Sequence, residues 1–221
     1  MVCIGSYVPN KYIENDIGCT IYKIHAPTAS SIGSWSYSNL QFIDAPQVIG
    51  ISSSTFSGTN ISKADFPSAT YIDAYAFSYC DNLTEVHIPK ATYLSDYAFT
   101  GCSSMTTIDL PSVTIINRYA FSSCSQLNAV ILRSNTVCAL SAANAFYYTP
   151  IHYNTGVLGY IYVPKSLISS YKSATNWSIY ANRLRAIEDY PEICGGSLNA
   201  SEEWVFELED GSIVTKQVVV K

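Results

Sequence analysis

Charge is scarce in this chain: only 13% of its 221 residues are Asp, Glu, Lys or Arg, and 12 cationic against 17 acidic residues leave a net charge of −5. No basic run occurs, and the densest cationic stretch is Arg183 with Arg185. Nucleic acid needs clustered Lys and Arg to neutralise phosphates, so it is excluded as a partner, and an anionic membrane surface gains no support. Long apolar runs are missing too. Nothing approaches the ~18 consecutive apolar residues of a membrane span, so no insertion is expected. The start, Met1-Val2-Cys3-Ile4-Gly5, has no basic segment, and Pro9, Asn10 and Lys11 break any apolar stretch, so no signal peptide is expected. C-x-x-C pairs, a P-loop, a nucleophile elbow and a dinucleotide fingerprint are all absent. Neither a cofactor nor a metal is expected, and no catalytic residue is nominated. Low charge does not mean disorder here, because 48% of the residues are hydrophobic, enough for a sizeable core in one domain or two.

Tyr is plentiful at 18 residues while Met is down to 2. A tyrosine joins a large apolar ring to a polar tip, which suits an interface and suits a thin-walled shell equally well.

Self-comparison reveals a repeat. Pro46, Pro67, Pro89 and Pro111 are spaced by 21, 22 and 22 residues. Six positions before them stand Leu40, Ile61, Leu83 and Met105, and ten positions after them Phe56, Phe77, Phe99 and Phe121. Ala precedes the last three Phe, and Cys80, Cys102 and Cys124 follow them by three. Upstream, Ile21 to Pro27 fits a unit shortened to 19 residues, with Ile32 and Tyr37 in its later core slots. Downstream, Leu127, Val130 and Leu132 fit, Arg133 replaces Pro, and Ala145-Phe146 arrives three residues late. Leu158 to Pro164 makes a final half-unit. About six coils exceed the ~3 that stable stacking needs.

Within a unit, Val86 and Ile88 alternate with Glu85 and His87, the period of two of a half-buried strand. Pro ends that strand because it has no N–H for a ladder. Val113 and Ile116 point back inward from the opposite wall, and the Ala-Phe pair plugs the core before the chain turns. No unit can bury its apolar face alone, so the units stack.

The segments IPKATYLSDYAFTGCSSM (88–105) and LPSVTIINRYAFSSCSQL (110–127) resemble BspA-like leucine-rich repeats, and the resemblance runs from about 21 to 164. Residues 160–190 look like the tail that ends such arrays in gut-bacterial and prophage proteins. The resemblance implies an α/β-type leucine-rich-repeat solenoid of about six 19–25-residue coils with parallel strands on one face. It also implies adhesion, host or matrix binding, and a cell-surface, extracellular or virion-associated setting such as a phage tail. It implies no reaction.

Residues 1–20 match the repeat poorly and are expected to cap the first coil. After Pro164 the spacing of Leu167, Ile168, Tyr171, Trp177, Tyr180 and Leu184 turns helical, so 165–190 is expected to cap the other end with Trp177 over the core. In 191–221, residues 193–197 read as a linker, and the strands 204–209 and 213–220 flank Asp210-Gly211 as a β-hairpin. A lone hairpin is marginal in water. It therefore docks on the solenoid, continues into further sequence, or joins chains through 204–220, an assembly role that would make the protein a spacer.

The Cys ladder has three thiols and no fourth ligand, so core packing outweighs metal binding. Cys3, Cys19, Cys138 and Cys194 lie outside it. Outward strand positions form two columns. One is His25, Asp44, Asp65, His87, Asp109, Ile131 and Tyr162; the other is Lys23, Phe42, Lys63, Glu85, Thr107, Ala129 and Tyr160. Strands ~4.8 Å apart line these side chains into one continuous face. That face reads either as a surface for a protein or glycan ligand of a host or bacterial surface, or as a merely solvated sheet with Lys63–Glu85 a weak cross-strand pair. Asp44 and Asp65 fall short of the ~6–8 oxygens of a Ca²⁺ site. A His-Asp-Ser triad can be drawn around His25 or His87, but Ser is too common for that to carry weight.

Overall fold

The computed structural model describes residues 23–36, 39–152 and 158–190, together with the backbone of 203–207 and 213–217. The expected N-terminal cap (1–20), Tyr37 and the linker at 193–197 lie outside these residues.

Alternation builds the front wall. Its strands are β1 (Lys23–His25), β2 (Phe42–Asp44), β4 (Lys63–Asp65), β6 (Glu85–His87), β8 (Thr107–Leu110), β10 (Ala129–Leu132), β12 (Tyr160–Val163) and β13 (Leu184–Ala186). They run parallel, one per coil, with inward Ile43, Ala64, Ile108, Val130 and Ile161 buried. The back wall has strands of its own: β3 (Gly50–Ile51), β5 (Tyr71–Ile72), β7 (Tyr93–Leu94), β9 (Ile115–Ile116) and β11 (Ala139–Leu140) form one five-stranded parallel sheet. Thr70, Thr92 and Thr114 reinforce it, each hydroxyl donating to a carbonyl of the preceding coil at 3.0–3.2 Å. Polar as they look, these threonines are structural.

Between the walls runs a column of stacked rings. Phe77, Phe99 and Phe121 are fully buried, with centroids 5.1 and 5.5 Å apart and planes within 3° of parallel. In the first coil Trp35 fills this slot: its N–H donates to Thr55 as that of Phe56 donates to Ala76, and it is 5% exposed. The two residues that shorten this coil are missing between its Pro and the aromatic.

Phe56, Phe77, Phe99 and Phe121 each sit at the apex of a turn with left-handed residues two positions before and after. Ser54 and Gly58, Tyr75 and Tyr79, Tyr97 and Gly101, and Tyr119 and Ser123 all have φ between 55° and 75°. For tyrosine this conformation is disfavoured. It is held by interlocking bonds to the next coil, Tyr75 N–H to Asp96 and Tyr97 N–H to Arg118, and by stacking of Tyr75, Tyr97 and Tyr119 at 4.8–4.9 Å.

The Cys ladder is packing with a hydrogen bond added. Cys80, Cys102 and Cys124 are free and buried, and each thiol donates to a Phe carbonyl of the preceding coil (Phe56, Phe77, Phe99) at 3.0–3.1 Å. Burial pushes the Cys102 thiol well above its ordinary value and Cys138 up to about 12, which keeps both protonated. Thr59 and Thr149 occupy the same slot at the ends of the series.

Helix among the described residues is confined to 165–189: one six-residue α-helix, α1 (Ile168–Ser173), and three 3-10 turns. This segment ends the core. Trp177, Tyr171 and Tyr180 are buried against Phe146 and one another. They also satisfy the last coil's backbone: Trp177 Nε1 donates to Cys138 O at 2.7 Å, Tyr171 Oη accepts from Cys138 N–H at 2.9 Å, and Asn176 Nδ2 donates to Leu140 O at 2.8 Å. At the C terminus β14 (Glu203–Glu207) and β15 (Ile213–Gln217) pair antiparallel, with Trp204 opposite Lys216.

Candidate ligand-binding face

The register brings the outward residues into the columns read from the sequence. Phe42, Lys63 and Glu85 stand side by side, as do Asp44, Asp65 and His87; Thr107 faces Ala129, and Asp109 faces Ile131. His25 pairs in register with Asp44, and only its backbone is described. Polar side chains then pair across strands. Lys63 Nζ lies 2.8 Å from Glu85 Oε1, and Asp65 Oδ1 lies 2.7 Å from His87 Nδ1. Arg133, the residue in place of the coil proline, grips both oxygens of Asp109 through Nε at 2.8–3.0 Å. The Lys63 and His87 pairs are at least half exposed, so each adds at most about 1 kcal/mol to folding.

The C-terminal end of the face is closed, which corrects the expectation for three residues. Ile131 is 5% exposed and Tyr162 8%, both covered by Ile187 and Tyr190, while Tyr160 is half-buried beneath the Arg185 guanidinium at 4.1 Å. The cause lies beyond the repeat. β13 adds a strand the proline pattern does not announce, and the 3-10 turn Ile187–Asp189 then folds over the outward side of β10 and β12. Covering Ala129, Ile131 and Tyr162 removes apolar surface from water, worth roughly 25 cal/mol per Å². Glu188 accepts the Lys165 N–H and Asp189 meets Lys165 Nζ at 2.8 Å, pinning the flap.

The accessible part, from β2 to β8, holds an interruption. Among the described residues every neighbouring pair of front strands is laddered except β6 and β8, which divide the wall into two four-stranded sheets. Flanking bonds such as Thr84 N–H to Ser62 O and Asn128 N–H to Thr106 O mark the series that stops there. On the back wall Thr92 N–H to Thr70 O and Thr114 N–H to Thr92 O continue without a gap. Backbone groups of a parallel strand point alternately to its two neighbours. Glu85 and His87 bond toward β4, so Val86 N–H and C=O face the seam; Ala129 bonds to Thr106, so Thr107 and Asp109 face it from the other bank.

Water reaches this seam. Val86 is half-buried, as is Ile24 of the first strand, whereas Ile43, Ala64, Ile108, Val130 and Ile161 at the same inward position are 0–2% exposed. Above it lies a shallow, open cleft of about 550 Å³. It is lined by Phe42, Lys63, Asp65, Glu85, His87, Thr107 and Asp109 of the two columns, plus Ala64, Thr84 and Val86. The last three were not legible as site residues, because inward positions and a pre-strand Thr look like every other coil's. Ala64, smallest in its column, is the one local sequence signal. Among the described residues no group of three or more His, Cys, Asp or Glu is placed to hold a metal ion, and no helix is long and apolar enough to cross a membrane.

A family model, the BspA type leucine rich repeat region, matches residues 15–128 and 49–174 in six copies. The chain belongs to this family. As in the sequence reading, this BspA-type array is a parallel-stranded solenoid, a repeat module. No curated protein matches it. Among solved structures it is similar to the crystal structure of a leucine-rich repeat protein from Bacteroides ovatus, at 19% identity and a TM-score of 0.49. That likeness covers 76% of this chain and 42% of the other, so the BspA-type chain spans about two fifths of that protein's length.

Proposed function

We propose that this BspA-type chain is a non-catalytic binding module that takes a protein or glycan ligand of a host or bacterial surface on its front wall, between Phe42 and Asp109. The cleft at the β6–β8 seam carries this reading. A merely solvated sheet would be laddered throughout, whereas this one is interrupted between β6 and β8, with a shallow cleft over the break. Membership of the BspA type supports a setting outside the cell, on a cell surface or on a phage particle as a receptor-binding component.

The double variant Asp65→Lys/His87→Ala tests it. Both side chains are exposed, so the thermal midpoint is expected to stay within a few degrees of wild type. Retention on immobilised mucus glycoproteins is expected to fall by at least about tenfold, the loss of roughly 1.4 kcal/mol. Unchanged retention removes this face.

A further inference from the structure

We propose that the seam cleft is a saccharide site selective for neutral, polyhydroxylated rings, an inference that rests on the front wall being the binding surface. Charge decides first. Each cleft carboxylate already has a basic partner: Glu85 has Lys63, Asp65 has His87, and Asp109 has Arg133, at 2.7–2.8 Å. With an acid beside each base, the cleft offers no excess of either sign to draw in a sulfated, carboxylated or cationic ligand.

Neutral hydroxyls need no such excess. The ion pairs engage Oε1 of Glu85 and Oδ1 of Asp65, and each carboxylate keeps its second oxygen as an acceptor. The floor adds what ordinary sheets withhold: the N–H of Val86 as donor and its C=O as acceptor, unclaimed because β6 and β8 do not pair. A vicinal diol, donor and acceptor at each oxygen, matches that mixture. Phe42 gives the cleft an aromatic wall suited to the C–H face of a sugar ring.

Thr107 and Thr84, on opposite banks of the seam, are both exposed, so Thr107→Trp and Thr84→Trp fill the cleft from either side without touching the core. The full chain is applied to an array of neutral, sialylated and sulfated glycans. Wild type is expected to bind neutral glycans, and both tryptophan variants to bind them at least about tenfold more weakly with unchanged circular dichroism. Neutral-glycan binding that survives both variants, or a preference for sialylated or sulfated glycans, overturns the proposal. So does an array without neutral binders. If Asp65→Lys/His87→Ala still abolishes mucus retention in that case, the front wall stands as the binding surface and the saccharide assignment alone falls.

Discussion

Phe99→Ala is expected to destabilise the protein by about 3–5 kcal/mol, the range for a buried aromatic cut back to a methyl group. Phe99 is fully buried and lies between Phe77 and Phe121, parallel to both within 3°. Its removal therefore forfeits two ring contacts in addition to its transferred area, and each such pair is worth ~0.5–1.5 kcal/mol. Relaxation cannot close the cavity. The turn that carries Phe99 is bonded to its neighbours, Phe99 N–H to Ala120 O and Phe77 N–H to Ala98 O, both at 2.8 Å. The thermal midpoint should drop by on the order of 10 °C. Tyr79→Ala, two residues after Phe77 and 61% exposed, should change stability by less than about 0.5 kcal/mol. Equal effects from the two substitutions would contradict the ring column.

Trp177→Ala should cost about as much at the end of the array. The indole is fully buried, edge-on to Tyr171 at 4.9 Å, and closes the core beyond Phe146. Truncation loses that burial, roughly 3–5 kcal/mol. It also strands the Cys138 carbonyl that Nε1 satisfies, which adds about 1–3 kcal/mol. Solenoid coils contact only their neighbours, so a terminal lesion frays inward from its end. Limited proteolysis checks this: cleavage should begin in 133–190 in Trp177→Ala while Phe77 to Phe99 stays protected. Uniform susceptibility along the chain would show that 165–190 does not act as a cap.

Sequence pattern reached the front wall because three independent signals coincide there: alternation in Glu85-Val86-His87-Ile88, the strand-ending Pro89, and the spacing to Phe99. It reached the two outward columns for the same reason, since the period of two fixes which side chains share a face. It did not reach the left-handed tyrosines. Glycine is the usual occupant of that conformation, and what holds Tyr75 and Tyr97 there is bonding and stacking to the next coil, which no single repeat displays. Ile187 over Ile131 was equally hidden, because the chain's return after Arg183 follows no period. The seam was hidden for a subtler reason. Glu85 and Thr107 sit in perfect repeat phase, so the repeat itself gives no sign that the ladder stops between them. Tyr160 and Tyr162 illustrate the cost: they continue the columns in sequence yet stand under a flap in the fold.

Amide hydrogen exchange on the full chain, alone and with saturating soluble mucin, tests the binding face most directly. Alone, Val86, Thr107 and Asp109 should exchange far faster than Ile108 and Val130, because the former lack ladder partners at the seam. With mucin, protection should appear at 85–87 and 107–109 and leave the back-wall strands 71–72, 93–94 and 115–116 unchanged. Protection confined to the back wall, with the seam still exchanging freely, would contradict the assignment of ligand binding to the front face.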